Sequence, residues 1–445
     1  MAPAHVLRRL SPIETLLWLA DRSCSLNFTM HAELRGPLSL ESLQAALAAV
    51  QRRHPLLRVR IVEDEEGTFF VEDGVGPIPL RHVEGPHADW HAEFEYELKT
   101  RLDWTNGPLA RCVWITGEAD TSTLLVTFHH SIGDASSGTY LIRDVLQACG
   151  AVSAGESRVL EPLPPRPALD QELPPEARGW RGLGRFVSAI GRMRLWFARH
   201  GQPVELPPDA PKHVIERQAC VSLKRLEPEL TRVLVTRARR EGTTVQGALS
   251  AAIALAAAEE WPNGRTNPMV FGFIADLRDR LVPPIADDIG LYVSLGFGLH
   301  LVSCDRPLWE LAREMKREVT RFIETGAPFV FLPWQGRTML PMRRLYGRGE
   351  QGVARLGHFL VRTQLPALGL TNIGRVPIKE RYGPLEIQAV GFCPSLSVLS
   401  NCGVAAATIQ DRLCLNFVGM QPVVTRERLE RVAERSLALL GKALE

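Results

Sequence analysis

The stretch Thr123-Leu-Leu-Val-Thr-Phe128 is an apolar run that leads directly into His129-His130-Ser131-Ile132-Gly133-Asp134. A short apolar run bounded by turn residues is typical of a buried strand. Catalytic side chains are often placed on a loop that a rigid strand holds in position. The stretch therefore predicts a strand whose following loop carries two histidines and a carboxylate.

Three interpretations of this loop stay open from the residues alone. The histidines are structural and Asp134 caps the following helix, or the three side chains bind a metal, or one histidine is a general base. Adjacent residues on an extended chain point to opposite sides, and no further His or Cys cluster of clear spacing follows, so we predict no metal site. A neutral histidine, with a pKa of about 6.5, can accept a proton near pH 7.

Composition narrows the class of protein. The chain has 445 residues, 45% of them hydrophobic and 23% charged, with a formal net charge of +2. These values are ordinary for a globular protein with a large core, and they argue against a nucleic-acid binder. The sequence therefore predicts no nucleic-acid partner.

Localisation is predicted from the N-terminus and the cysteines. Residues 1–10 lack the apolar core of a signal peptide, and the apolar stretch 248–258 is too short to span a bilayer. None of the eight cysteines forms a Cys-x-x-Cys pair, so a zinc cage is not expected. We expect a cytoplasmic protein with reduced thiols.

Periodicity and turn residues predict a mixed α/β chain in two halves. Ser11-Pro12-Ile13-Glu14 is a helix-start pattern. Further predicted elements are strands at 28–34, 56–62, 108–115, 123–128, 268–274, 291–301, 365–371 and 404–409, and helices at 40–50, 138–148, 228–240, 245–260 and 425–440. Prolines crowd 160–211. We therefore predict halves at 1–159 and 212–445, joined by a connector at 160–211.

The connector also contains an arginine-rich segment, residues 178–200, with no acid between Glu176 and Glu205. Arg185, Arg192 and Arg199 lie seven residues apart and share one side of a predicted helix. Phe186, Ile190, Met193 and Phe197 form a different face. Three interpretations stay open for this basic amphipathic helix: packing on the core with a solvated basic face, peripheral membrane contact, or docking of an acidic carrier protein.

The loop with the two histidines matches the pattern of a known protein family. His129-His130-Ser-Ile-Gly-Asp134-Ala135 resembles the HHxxxDG motif of the condensation-domain and CoA-dependent acyltransferase superfamily, and the chain looks most like its phthiocerol dimycocerosyl transferase and alcohol acyltransferase branch. Supporting segments are Arg53-His-Pro-Leu-Leu-Arg58, Gly107-Pro-Leu-Ala-Arg111, Asp276-Leu-Arg278, Ile289-Gly-Leu-Tyr-Val-Ser294 and Thr371-Asn-Ile-Gly-Arg375. Together they follow the family's order along nearly the whole chain.

The resemblance implies two chloramphenicol-acetyltransferase-like halves with the active-site tunnel between them. It implies His130 as the general base, which deprotonates an acceptor that attacks a thioester directly. It also implies structural, supporting roles for His129, Gly133 and Ala135. It further implies that Asp134 pairs with Arg278 from the second half. Asn372 and Ser294 are candidates for positioning substrate. No Gly-x-Ser-x-Gly nucleophile motif is present.

The substrates implied by the resemblance are a phosphopantetheine-linked acyl donor, either acyl carrier protein or CoA, and an alcohol acceptor. No tightly bound cofactor is expected, and the family likeness implies a monomer. Amide formation with an amine acceptor and a non-catalytic, condensation-like binding protein are the alternatives. Ala135 stands where the motif has glycine, which favours the last of these, whereas His130 and Asp134 oppose it.

Overall fold

The computed structural model describes residues 5–85, 90–153, 160–210, 216–262, 264–346, 349–363, 367–396 and 400–445. Within these ranges the chain forms two six-stranded sheets and one three-stranded sheet, with helices packed on them. The predicted mixed α/β class is confirmed.

The first half supplies seven strands and four helices. The strands are β1 (Val6–Arg9), β2 (Asn27–Arg35), β3 (Arg60–Glu63), β4 (Thr68–Val71), β5 (Leu80–Glu84), β6 (Ala110–Thr116) and β7 (Thr121–His129), and the helices are α1 (Pro12–Ser23), α2 (Leu40–Arg53), α3 (Trp90–Lys99) and α4 (Ala135–Ser153). The predicted capping box at Ser11 is present, because the Ser11 hydroxyl accepts from the Glu14 N–H and the Glu14 carboxylate accepts from the Ser11 N–H.

The connector and the second half supply the remaining elements. Helices α5 (Leu169–Glu172) and α6 (Gly179–His200) lie in the connector. Then follow β8 (Gln218–Leu226), α7 (Pro228–Arg240), α8 (Val245–Glu259), β9 (Asn267–Asp276), β10 (Val293–Val302), α9 (Leu308–Glu324), α10 (Pro328–Tyr346), α11 (Glu350–Thr363), β11 (Ala367–Arg375), β12 (Arg381–Tyr382), β13 (Leu385–Pro394), β14 (Cys402–Ile409), β15 (Arg412–Gln421) and α12 (Arg426–Leu444).

Two strands of the second half, β12 and β13, join the sheet of the first half, and β13 is the crossing strand that pairs with it. The second large sheet, β10-β9-β11-β14-β15-β8, is built from the second half alone. The first is β12-β13-β2-β7-β6-β5, so β12 and β13 join the sheet that carries the histidine motif. Phe28 on β2 stacks between Phe128 of β7 and Phe392 of β13, with ring centroids 5.2 and 5.3 Å apart. The aromatic stack links the crossing strand, across β2, to the strand that precedes His130.

Some predicted boundaries differ from the structure. The predicted strand 56–62 is wrong in its first part, where Pro55–Arg58 forms a 3₁₀ turn and only Arg60–Glu63 is extended. Proline at the first position of that turn fixes a helical φ, which outweighs the β-branched residues that follow. Residues 159, 211 and 212, at the predicted limits 159/160 and 211/212, lie outside the described ranges. The division into three segments stays a prediction, and the crossing strand shows that sheet membership does not follow chain order.

Within the described ranges, no helix has both the length and the apolar character needed to cross a bilayer. All eight cysteines are free thiols, and only Cys304 is exposed.

The strand exchange predicts that residues 1–210 do not fold alone. Without β13, strand β2 would become a sheet edge although eight of its nine residues are buried. We expect this fragment to unfold in urea without a cooperative transition, monitored by circular dichroism. Co-expression with residues 211–445 should restore one cooperative transition, whereas a cooperative transition of the fragment alone would contradict the prediction.

Candidate active site

His130 directly follows β7, at the point where the chain leaves the sheet. Its Nδ1 is 2.9 Å from the Gly133 carbonyl oxygen. A carbonyl only accepts, so Nδ1 carries the hydrogen and the neutral ring keeps its lone pair on Nε2. Among the described residues Nε2 has no hydrogen-bond partner. Phe28 packs edge-on to the ring, with centroids 5.4 Å apart.

The charge state of His130 follows from this environment. Burial lowers the pKa of His130 below its usual value, although the Gly133 carbonyl and the Asp134 charge act in the opposite direction. The imidazole is therefore neutral at pH 7, and its free Nε2 can accept a proton.

His129 has the opposite tautomer and no access to solvent. Its Nδ1 accepts from the Ser131 N–H at 3.1 Å, so the neutral ring carries its hydrogen on Nε2. That atom faces the buried Asp21 carboxylate at 3.6 Å. Asp21 in turn accepts from the Leu26 N–H at 2.7 Å. The structural interpretation therefore holds for His129, which anchors the loop to α1.

Asp134 ends the loop and begins α4. Its Oδ1 accepts from the Ser137 N–H at 2.9 Å, which is the N-cap contact for this helix. Its carboxylate also receives two hydrogen bonds from Arg278, each 2.9 Å, and one from the Tyr292 N–H, also 2.9 Å. The predicted pairing of Asp134 with Arg278 is confirmed, and the helix-capping interpretation of this aspartate is correct as well.

The ion pair between Asp134 and Arg278 is almost fully buried, at 1% and 2% exposure. Burial alone would raise the pKa of Asp134, but the charge and hydrogen bonds of Arg278 lower it overall. Burial would likewise lower the pKa of Arg278, and Asp134 raises it. The guanidinium also lies 5.1 Å from the Tyr292 ring centroid. Both groups are therefore charged at neutral pH, and each neutralises the other.

Gly133 and Ala135 shape the loop on either side of Asp134. A Cβ at Gly133 would lie 2.9 Å from the Phe128 ring, so the turn has no room for a side chain. Ala135 is the first residue of α4, has no positive φ, and places its methyl on a cavity wall. An alanine is compatible with helical geometry. The departure from the family motif therefore leaves the backbone of the loop unstrained.

The two predicted substrate-positioning residues occupy different places. Asn372 lines the cavity that also contains His130, and its Oδ1 accepts from the Gly374 N–H at 2.8 Å where the pairing of β11 with β14 is irregular. Ser294 is fully buried on β10, and its Oγ has no partner among the described residues. Ser294 does not line that cavity, so the structure does not bring it to His130.

The Arg53-His54-Pro55 segment supports the site from a distance. His54 Nε2 lies 3.0 Å from Asp144 on α4, and Arg53 Nε donates to the same carboxylate at 2.8 Å. Arg143 bridges Asp144 and Asp287 with bonds of 2.8 and 3.0 Å. This network fixes α4 against the segment that follows Arg278. The role of Arg53 and His54 is therefore structural.

The cavity beside His130 measures about 840 Å³ and is lined from both halves. Most of its walls are apolar, and the polar groups on them include His130, Ser136, Asp276, Gln335, Thr338 and Asn372. Few polar groups on an apolar wall are typical of a site for a largely apolar small molecule. The Ser136 hydroxyl donates to Asp276 at 2.6 Å across the two halves.

Helix α6 forms one wall of this cavity. Phe186, Ile190, Met193 and Phe197, the predicted apolar face, all line it. The sequence shows this face, but its periodicity cannot distinguish a cavity wall from a packed core. Gln335 and Thr338 on α10 had no motif around them, so sequence reasoning missed both.

No group of three or more potential metal ligands occurs among the described residues. The His130 imidazole can transfer a proton next to a mostly apolar cavity. Asp134 and Arg278 form a buried ion pair beside it.

Two family models match the chain, the condensation domain over residues 15–166 and the phthiocerol/phthiodiolone dimycocerosyl transferase C-terminus over residues 216–417. The predicted resemblance to the condensation-domain superfamily is confirmed in both halves. Each model covers one of the two halves that meet at the ion pair between Asp134 and Arg278.

Individual relatives support the same resemblance. Phthiocerol/phthiodiolone dimycocerosyl transferase of Mycobacterium ulcerans is 28% identical over 71% of this chain and 72% of its own length. The chain spans only 25% and 5% of two peptide synthetases that it also matches.

The fold of this chain is also found in solved structures. Polyketide synthase associated protein 5 of Mycobacterium tuberculosis superposes with a TM-score of 0.71 at 19% identity, over 99% of this chain and 100% of that one. Trichothecene 15-O-acetyltransferase of Fusarium sporotrichioides gives a TM-score of 0.73 at 12% identity, over 98% and 95%.

The substitution Arg278→Ala is expected to lower the free energy of unfolding by about 3–5 kcal/mol, because it leaves the Asp134 carboxylate buried and unpaired. Urea denaturation at pH 7 measures the loss. The matched control is Arg435→Ala, which removes an equally bidentate but half-exposed pair with Glu259. We expect at most about 1 kcal/mol there, and equal losses in the two variants would contradict the account.

Proposed function

We propose that the chain transfers an acyl group from a thioester to the hydroxyl of an alcohol acceptor, forming an ester, with His130 as the general base. The observation that carries the proposal is the hydrogen bond from His130 Nδ1 to the Gly133 carbonyl. It leaves Nε2 as the lone-pair nitrogen of a neutral imidazole at a cavity of about 840 Å³.

The proposed reaction proceeds by direct attack. His130 Nε2 takes the proton of the acceptor hydroxyl as its oxygen bonds to the thioester carbonyl carbon. The tetrahedral intermediate then expels the thiolate by breaking the C–S bond. The imidazolium returns its proton to that thiolate, so the products are an ester and a free thiol and the ring is neutral again.

Asp134 and Arg278 have a positioning role in this proposal. Neither donates to the His130 ring, and both are occupied by each other and by backbone groups. Their effect is to hold the turn from Gly133 to Ala135, and through the Gly133 carbonyl they hold the tautomer of His130. Asn372 stays a candidate for contacting substrate because it lines the same cavity.

The identities of the relatives support the substrate classes. One relative is named for dimycocerosyl transfer and a structural neighbour for 15-O-acetyl transfer, which favours an acyl donor and a hydroxyl acceptor. The mostly apolar walls support a substrate with a substantial hydrocarbon portion. We propose a phosphopantetheine-linked donor, presented either by CoA or by a carrier protein.

Conversion of His130 to alanine tests the proposal. We expect kcat for acceptor-dependent thiol release from acyl-CoA or acyl carrier protein to fall by roughly 10²-fold or more, since a positioned base contributes at least that factor. The panel of acceptors contains alcohols and amines, so the product identifies an ester or an amide. The control is His82→Ala, which removes an exposed histidine that stacks on Trp114. Equal turnover by wild type and His130→Ala would disprove the general-base role.

The pH dependence of kcat/KM provides a second test. The base acts in its neutral form, so kcat/KM should rise with pH through the pKa of His130 and then reach a plateau. Because burial lowers that pKa, the midpoint should lie below the usual value of about 6.5. A donor without titrating groups, such as an N-acetylcysteamine thioester, isolates the enzyme's own titration. A midpoint at or above that usual value would contradict the assignment.

A further inference from the structure

Helix α6 has one face on the cavity and one face exposed to solvent. Its inner face lines the cavity, while only Gly182 and Phe197 of its 22 residues are buried. Its outer face carries Trp180, Val187 and Leu195, which are 87%, 58% and 72% exposed. Three large exposed apolar side chains on one side of one helix are a candidate interaction surface.

The three exposed side chains form a stripe along one side of the helix. They lie seven and eight residues apart, so at about 100° per residue they fall within one side of the helix and extend over roughly 22 Å. Gly184 and Gly191 lie between them, and a Cβ at either position would meet nothing within 4 Å. The outer surface around these glycines therefore carries no covering side chain, and Trp180 and Gly184 also line a groove beside the helix.

Arginines flank the stripe, and no acid interrupts it. The segment between Glu176 and Glu205 contains no Asp or Glu. Arg181, Arg185 and Arg192 line a groove of about 670 Å³ between α6 and residues 325–331. The groove is also lined by Glu176, Trp180 and Ser188 on the α6 side, and by Val330 and Phe331 opposite them. Arg185 donates to the Thr325 carbonyl, and Arg192 donates to Ser188 at 2.8 Å. Among the described residues, none of these three arginines has an acidic partner.

We propose that the outer face of α6 binds an anionic lipid surface, with Trp180, Val187 and Leu195 inserted among the acyl chains and the arginine groove on the headgroup phosphates. An apolar stripe flanked by arginine is the pattern of a helix that lies in a membrane interface. A membrane is the occupant that fits best, because the exposed apolar side chains match the acyl chains and the arginines beside them, which have no acidic partner among the described residues, match the headgroup phosphates. The inner face of the same helix lines the cavity that contains His130, so, on the basis of the proposed function, membrane binding brings the cavity next to a source of lipid-soluble substrate.

Vesicle flotation tests this proposal without any assay of turnover. We expect wild-type protein to bind vesicles of equal parts phosphatidylcholine and phosphatidylglycerol, to bind phosphatidylcholine alone much more weakly, and to be released by high salt. The variant Arg181→Gln/Arg192→Gln should lose roughly tenfold or more in partitioning, since each arginine near an anionic surface contributes about fivefold. Trp180→Ala/Leu195→Ala should also lose roughly tenfold or more.

The matched control lies on α7, which also exposes apolar side chains beside arginines. Leu230 and Val233 are 41% and 45% exposed, but Arg232 there pairs with Asp411 at 2.8 Å. Leu230→Ala/Val233→Ala should bind vesicles like the wild type. His130→Ala should also bind normally, so a failure of the catalytic proposal and a failure of this one are distinguishable.

Several outcomes would overturn the lipid proposal. Equal binding to neutral and anionic vesicles, or full binding by both α6 variants, would exclude this face as the membrane site. Binding of an acidic acyl carrier protein that is lost in the α6 variants, without vesicle binding by the wild type, would assign the face to that carrier. Self-association that disappears in Trp180→Ala/Leu195→Ala, again without vesicle binding, would assign it to a second copy of the chain.

Discussion

The buried ion pair between Asp134 and Arg278 joins the two halves at the point where the cavity begins. Asp134 simultaneously caps α4, receives both guanidinium bonds and accepts from the Tyr292 backbone, so one carboxylate fixes three segments of the chain. A charged pair at this depth is retained only if both partners stay in place, since either one alone would be an uncompensated buried charge. The turn that ends at Asp134 is therefore as rigid as the interface between the halves.

This rigidity determines the chemistry of the two adjacent histidines. They have the same sequence neighbourhood but opposite tautomers, because Ser131 donates to Nδ1 of His129 whereas Nδ1 of His130 donates to Gly133. The first ring faces a buried carboxylate, and the second presents a lone pair next to an apolar cavity. Burial keeps the second ring neutral, which is the state that a general base requires.

The local features of the fold could be predicted from sequence, and the long-range ones could not. The helix start at Ser11, helix α7 and the strand before His129 follow from capping and periodicity, and the resemblance implied the pairing of Asp134 with Arg278. The crossing of β13 to β2 has no local signature, because strand pairing depends on contacts far apart in the chain. Helix α6 shows the same limit, since its periodicity revealed two faces but did not reveal that one lines a cavity and the other remains bare.

The most direct test of the account is a ¹⁵N-resolved NMR titration of His130, assigned by comparison with His130→Ala. The account predicts that the neutral ring carries its hydrogen on Nδ1 and that its pKa lies below the usual value of about 6.5. A neutral ring with its hydrogen on Nε2, or a pKa above that value, would contradict the claim that the fold presents His130 to the cavity as a base.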